Sequence, residues 1–337
     1  MKSSFLLYTK KNDSCHASGL PMKVRVKARI DGVGEDYIKA FWVGLSEGDG
    51  TSGLKIQYKN NNVFFSMNVE MSFFKETELM LHAIAAVLGG SVCIVPENNE
   101  KTKAVRWVAD KRERIESLLK VYEEYPPLTA RYRCRREIMR QVINKKSGWK
   151  RKEFSSAELI AFALLERKTL INNRQLFTPA TYENIPHFKP WLSGFMEAES
   201  SWNSHEYVPG VLGLTKAVHS KNRFSVSQKN EKALLQFVGR YCQNAKPMVY
   251  KKTNVPDTYE LVVIRRESLK VLHEHVHAYP LLGYKGTQFK EFFDSARSKK
   301  TNKINGKSIF FDIPKDSLFM KIREHPIIYV SDANNYE

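Results

Sequence analysis

Apolar residues at Ile38, Phe41, Trp42 and Leu45 follow the i, i+3, i+4, i+7 spacing of one helix face, which predicts a helix from about residue 35 to 49. From Gly50 the period changes to two. Leu54, Ile56 and Tyr58 alternate with Lys55, Gln57 and Lys59. After the polar turn Asn60-Asn61-Asn62, Phe65, Met67, Val69 and Met71 alternate with Ser66, Asn68 and Glu70. That is a hairpin with one face for a core and one for solvent or a ligand. A helix over about residues 76–88 ends at Gly89-Gly90, and strands follow at 91–95 and 103–108. A helix at about 112–124 is broken by Tyr125-Pro-Pro-Leu128, and another runs over about 131–143.

Residues 145–152 read as a basic loop, and Ser155-x-x-Glu158 ahead of Leu159, Ile160, Phe162 and Leu164 predicts a short capped helix. Past Pro179 and Pro186 the order of elements repeats. An acid-ended helix reaches Glu199, a strand region is expected at about 208–219 and a second strand at 223–228. A helix at 231–241, strands near 248–253 and 259–264, and a helix at 266–277 follow. Ala278-Tyr-Pro-Leu-Leu282 then breaks the chain before a helix at 287–298. Tyr279 lies 154 residues after Tyr125 (279 − 125), and Glu199 lies 150 after Asp49 (199 − 49). Two distant anchors at nearly one offset, in the same order of elements, make this an internal duplication. The chain divides into an N-terminal extension (1–30), in which 23–30 alternates like a strand, a first half (31–145), a connector (146–184), a second half (185–300) and a tail (301–337) with no assigned element.

The two acid-ended helices share a further pattern. Each has small residues four apart, Gly44 with Gly48 and Gly194 with Ala198, on one face of an otherwise apolar segment. Such spacing lets two helix backbones approach closely. Each segment ends acid-small-acid, Glu47-Gly48-Asp49 and Glu197-Ala198-Glu199. Packed side by side, the helices would bring Asp49 and Glu199 together. A carboxylate at a helix C-terminus already faces the negative end of the dipole. Two of them repel, so the arrangement calls for a cation.

Composition sharpens the choice of partner. The 337 residues carry 54 Lys+Arg against 36 Asp+Glu, a formal charge of +18, which favours a polyanion, nucleic acid before an acidic membrane surface. With 42% hydrophobic residues the chain is globular rather than a disordered basic tail. Cys15, Cys93, Cys134 and Cys242 are scattered without C-x-x-C spacing, which excludes a disulfide framework or zinc ribbon and reads as reduced thiols. No apolar run is long enough to span a bilayer, and residues 1–8 make neither a secretory signal nor a transit peptide.

Trp42-Val-Gly-Leu-Ser-Glu-Gly-Asp-Gly50 and Leu192-Ser-Gly-Phe-Met-Glu-Ala-Glu-Ser200, with the repeated element order, the Tyr-Pro breaks and Phe224-Ser-Val-Ser-Gln-Lys-Asn230, resemble the LAGLIDADG homing endonucleases in their two-motif, single-chain form. The resemblance covers roughly residues 35–300. It implies an α+β fold of two pseudo-symmetric αββαββα halves, packed through the signature helices, whose antiparallel sheets form a saddle over DNA. It implies a monomer that cleaves both strands of a long, asymmetric double-stranded site with a divalent metal, usually Mg²⁺. Carried over residue by residue, the metal-binding acids would be Asp49 and Glu199. The family's basic residue at the end of the fourth strand of a half would be Lys111 and Arg265, each 14 residues before its Tyr, with Arg112 and Arg266 one step away. Family habit implies an organelle-encoded intron product, mitochondrial rather than chloroplast. Ser200 replaces the last Gly of the second motif, so the turn there must avoid positive φ or be strained. Ser46 stands at a usually apolar place.

Phosphodiester hydrolysis needs a positioned water, a Lewis acid on the scissile phosphate and stabilisation of the leaving oxygen. Two carboxylates suit Mg²⁺, which keeps several waters and takes phosphate oxygens as ligands. Lys111 and Arg265 would stabilise developing charge or polarise a water. The polar strand positions Lys55, Gln57, Lys59, Ser66 and Asn68, and Arg223, Ser225 and Ser227, are candidate base readers and phosphate contacts, since a two-stranded ribbon fits the major groove. His273-Glu-His-Val-His277 matches H-E-x-x-H, but its counterpart Leu119-Lys-Val-Tyr-Glu123 has no histidine, which argues against zinc hydrolysis. The rival from the same family is an intron maturase, which binds its host intron RNA with or without cutting DNA. Retention of both acids favours cleavage.

Overall fold

The computed structural model describes residues 26–28, 33–57, 62–96, 103–145, 178–207, 219–242, 248–298, 303–304, 307–308, 317–324 and 329–331. A short strand β1 (Val26–Ala28) precedes α1 (Glu35–Asp49), the hairpin β2 (Gly50–Gln57) and β3 (Asn62–Ser72), and α2 (Lys75–Leu88). Strands β4 (Ser91–Val95) and β5 (Ala104–Ala109) and helices α3 (Arg112–Glu124) and α4 (Ala130–Lys145) complete the first half. The second half repeats it with α5 (Phe188–Glu199), β6 (Ser200–Tyr207), β7 (His219–Lys229), α6 (Lys232–Tyr241), β8 (Met248–Lys251), β9 (Thr258–Val263), α7 (Arg266–Ala278) and α8 (Tyr284–Ser298). The sheets are antiparallel and ordered alike, β2-β3-β5-β4 and β6-β7-β9-β8. The two-halved α+β architecture expected from the sequence is the one observed.

Local sequence explains most boundaries. α2 stops where Gly89 and Gly90 take φ of +69° and +94°, a conformation side chains rarely adopt. α3 and α7 end at Tyr125 and Tyr279, each ahead of a proline that denies the next turn its donor. Along β5 the burial alternates strictly, with Val105, Trp107 and Ala109 inward. They pack with Met67 and Val69 beneath Trp42, Ile84 and Leu118. Phe224, Val226, Leu261 and Val263 do the same in the second half, and the buried cluster runs through both halves without a break.

The structure corrects one expectation. The first strand of the second half is β6, starting directly after Glu199, whereas the sequence reading put it at 208–219. Among the described side chains of β6 only Trp202 is a large buried apolar residue, so periodicity is silent there; the strand is held by its backbone ladder to β7, with Ser200 opposite Val226 and Tyr207 opposite His219. The capped helix expected from Ser155 lies outside the described residues. The tail, unassigned from sequence, contributes a small ladder at 303–304 and 307–308, helix α9 (Leu318–Glu324), and a strand at 329–331 that pairs with β1. On α9, Phe319 is fully buried against His277 and Phe289.

The histidines of the H-E-x-x-H stretch are part of this core. His275 on α7 is 3% exposed. Its Nδ1 faces the Tyr241 hydroxyl at 2.8 Å and its Nε2 the Ser193 hydroxyl at 3.0 Å, while Ser193 donates to the Tyr279 carbonyl at 2.7 Å. That chain of bonds suits a neutral ring with the proton on Nε2. Burial lowers its pKa to about 3. The folded pKa is depressed below the unfolded value near 6.5, so the unfolded chain binds the extra proton and stability falls as pH drops below 6.5. At pH 5 this site alone is expected to cost about 2 kcal/mol relative to pH 7.5. Urea midpoints of the wild type and His275→Gln at both pH values measure it; an equal pH loss in the two proteins would contradict it.

Candidate active site at the paired helix ends

α1 and α5 pack along each other because each offers a glycine where the other's backbone passes. A Cβ on Gly44 would overlap the Trp191 carbonyl oxygen and sit 2.8 Å from the Phe195 nitrogen. A Cβ on Gly194 would overlap the Phe41 carbonyl oxygen and sit 2.9 Å from the Leu45 nitrogen. The contact is reciprocal, since 191 − 41 and 194 − 44 are both 150. One turn further, Gly48 faces Ala198, and a Cβ there would lie 2.9 Å from Glu199 Cγ. The helices therefore end side by side and deliver Asp49 and Glu199 to one place.

Both carboxylates reach solvent but have protein on most sides. Desolvation raises the Asp49 pKa to about 6, opposed by Lys285 and reinforced by Glu197. Desolvation and then the charge of Asp49 raise Glu199 to about 7, opposed by Gln228, Lys252 and Arg131. Gln228 Nε2 donates to Glu199 Oε1 at 3.3 Å. A multivalent cation bound by both acids would remove their repulsion, and two carboxylates with an amide nearby form a hard oxygen donor set suited to Mg²⁺. Among the described residues no three His, Cys, Asp or Glu side chains converge on a metal position. The remaining ligands would therefore come from water and phosphate.

The first acid of each motif does different work. Glu47, 2% exposed, accepts Leu128 N at 2.9 Å, Thr129 N at 2.5 Å and, from the other half, Trp191 Nε1 at 2.7 Å. Glu197, fully buried, accepts Gly283 N at 3.1 Å and Lys285 N at 2.9 Å. Each thus closes the N-terminus of the last long helix of its own half, where orphan N–H groups and the dipole favour an anion. From the other half, Glu231 reaches Ala130 N at 2.8 Å. The motif divides its labour: its first acid anchors a helix, and its last acid is left at the open end.

The other predicted site residues are distributed as follows. Lys111 and Arg265 occupy matching N-cap positions of α3 and α7, and among the described residues neither bonds to Asp49 or Glu199. Lys285, absent from the sequence reading, is the lysine whose charge reaches Asp49, Glu197 and Glu199 together. On the sheets, Lys55 and Gln57 stand opposite Phe64 and Asn62 on β2, while Lys59 lies outside the described residues. Asn68 is half-buried between Thr51 and Val108 in register. Ser66 and Ser225 are each 5% exposed, Ser227 is half-buried, and Arg223 pairs with Glu260 at 3.1 Å. The first half answers with an ion pair between Glu70 and Arg106 across β3 and β5. Ser46 keeps its apolar site by donating to the Val43 carbonyl at 2.8 Å and meeting the Tyr122 hydroxyl at 3.2 Å. Ser200 is unstrained, with φ of −80° against −79° for Gly50.

Residues 42–139 match the family described as LAGLIDADG endonuclease. A probable intron-encoded endonuclease aI3 from Dictyostelium citrinum is 28% identical over 80% of this chain and 98% of its own length. The chain is thus similar to the LAGLIDADG endonucleases over residues 42–139. Among solved structures, the meganuclease I-AabMI bound to uncleaved DNA superposes with a TM-score of 0.57 at 18% identity, covering 76% of this chain and 89% of that one. I-SmaMI, bound to an uncleaved DNA target in the presence of calcium ions, gives a TM-score of 0.57 at 15% identity over the same shares of the two chains. At such identities these two establish the shared fold. Among the described residues no helix is long and apolar enough to cross a membrane.

Proposed function

We propose that the protein is an intron-encoded, site-specific endonuclease that, as a single chain, cuts both strands of a long, asymmetric DNA site. The observation that carries this is the convergence of Asp49 and Glu199 at the ends of two helices locked together by Gly44 and Gly194. An acidic pair in a chain of net charge +18 is not needed for binding a polyanion, and it opposes it locally. The pair is suited to holding a divalent ion against a phosphate. Asp49 and Glu199 would hold the metal, Mg²⁺ by the chemistry of the donor set, and the bound ion would supply Lewis acidity at the scissile phosphate. Gln228 orients Glu199 through its amide hydrogen bond. Lys111 and Arg265, at the rims of the two sheets, are assigned to stabilising developing charge. The strand positions Lys55, Gln57, Asn68, Arg223 and Ser227 are assigned to the DNA grooves, whereas Ser66 and Ser225, each 5% exposed, are not. The names of the relatives and their intron encoding support an organellar, mitochondrial origin.

The test is cleavage of duplex DNA that joins the two flanks of the insertion carrying this reading frame. Mg²⁺-dependent double-strand cutting, stopped by a chelator, is expected. Absence of any cut together with tight binding of the host intron RNA would support the maturase instead.

A further inference from the structure

We propose that His273 and His277 form a two-nitrogen binding site for a divalent transition-metal ion of the zinc and cobalt class, separate from the acid pair and independent of the endonuclease reading. The two histidines lie one turn apart on α7, and their Nε2 atoms are 3.3 Å from each other. Residues at i and i+4 share a helix face, so two such imidazoles can grip one ion. Two nitrogens bound to one zinc at about 2.0–2.1 Å, with a tetrahedral angle between them, lie about 3.3–3.4 Å apart. The pair already stands at that separation. Its rings are held there by packing, His273 against Phe293 with centroids 4.7 Å apart and His277 against Phe319 at 5.3 Å.

The second nitrogen of His277 is placed as a metal ligand requires. Its Nδ1 lies 3.1 Å from the Ser317 hydroxyl, which also accepts Met320 N at 3.3 Å at the start of α9. A ligating histidine donates its other N–H to such an oxygen, which fixes the tautomer and leaves the Nε2 lone pair for the metal. Burial lowers the His277 pKa to about 4, so the ring is neutral at pH 7 and sheds no proton on binding. Core packing does not call for these histidines. Their counterparts 154 residues earlier are Leu119 and Glu123. Leu119 is 7% exposed and His273 4%, so a leucine fills the same buried place in the first half. A buried imidazole is costlier than a leucine unless its nitrogens are used. Among the described residues, the half that carries the pair is also the half that has α9 beside it. Glu274 is exposed and pairs with Lys270 at 3.6 Å, so no hydrolytic role is assigned. No third His, Cys, Asp or Glu joins the pair among the described residues. Water, reaching the ion past half-buried His277, fills the remaining positions, and binding is weaker than at a four-ligand structural zinc site. The bound ion ties α7 to α9 through Ser317.

The test uses the full chain carrying Asp49→Asn and Glu199→Gln, so that the acid pair does not compete for metal. Equilibrium dialysis against Co²⁺, read together with its visible absorption, should show one nitrogen-ligated ion per chain. Zn²⁺ should displace it, raise the thermal midpoint and slow amide hydrogen exchange in residues 318–324. His273→Leu, which installs the residue of the first half, and His277→Gln should each weaken Co²⁺ binding at least tenfold and abolish the Zn²⁺ effects on midpoint and exchange. Ser317→Ala should keep the ion but lose the protection of α9. A parent chain that binds no Co²⁺, or binds it no tighter than the two histidine variants do, would overturn the site and leave His273 and His277 as a hydrogen-bonded pair of the core. Because His277 is half-buried, its variant decides the matter even if His273→Leu does not fold.

Discussion

Asp49→Asn and Glu199→Gln should each lower Mg²⁺-supported cutting of the target by a hundred- to a thousand-fold, on the order of the loss seen when one electrostatic stabiliser of a transition state is removed. DNA affinity should stay within a few-fold of wild type. The substitutions keep side-chain volume and remove one negative charge. They relieve the repulsion that raises Glu199 beside Asp49, and they remove an anion that faces the negative ends of two helix dipoles. Folding should therefore be unchanged or slightly improved, and binding of a phosphate chain should not suffer. What would be lost is one of the two oxygen anchors proposed for the metal. Parallel gel-shift and plasmid-cleavage titrations separate these effects. Wild-type cutting by either variant would remove that carboxylate from the active site.

Gly44→Ala and Gly194→Ala should destabilise the protein, by upwards of about 3 kcal/mol for the worse of the two. Helix propensity alone forecasts the opposite sign, a gain of up to about 1 kcal/mol for glycine to alanine in a helix interior. Tertiary contact decides the outcome. The added methyl would overlap the Trp191 carbonyl oxygen in one case and the Phe41 carbonyl oxygen in the other. A backbone carbonyl cannot swing aside as a flexible side chain can, so the helices must separate. Separation would also loosen the Trp191 indole from Glu47 and spread Asp49 from Glu199, so cutting should fall with stability. Chemical unfolding at pH 7.5 measures the first effect; an unchanged or raised midpoint in both variants would show that the helices do not approach this closely.

Much of this was legible in one dimension. The helix ending at Asp49, the hairpin after it and the breaks at Tyr125 and Tyr279 follow from short-range rules: a 3.6-residue period, a two-residue period, and proline's missing donor. The duplication needed only subtraction. β6 escaped because a mostly polar strand carries no apolar rhythm, and the tail escaped because its strand at 329–331 pairs with β1 across nearly the whole chain. The sequence marked Glu47 and Glu197 only as the first acids of two acid-small-acid ends, and packing made them buried anchors of α4 and α8. Lys285 was missed although it shares the 154-residue offset with Arg131.

The sequence by itself determined the two halves, the element types and the pair of acids, because each is written in spacing within about 20 residues or in repetition of that spacing. The tertiary structure alone decided which acid faces solvent and which is consumed, and which cation stands beside them. Those outcomes depend on residues some 80 to 240 positions apart, Glu47 with Leu128, Trp191 with Glu47 and Lys285 with Asp49, that meet only once two glycine-faced helices close on each other.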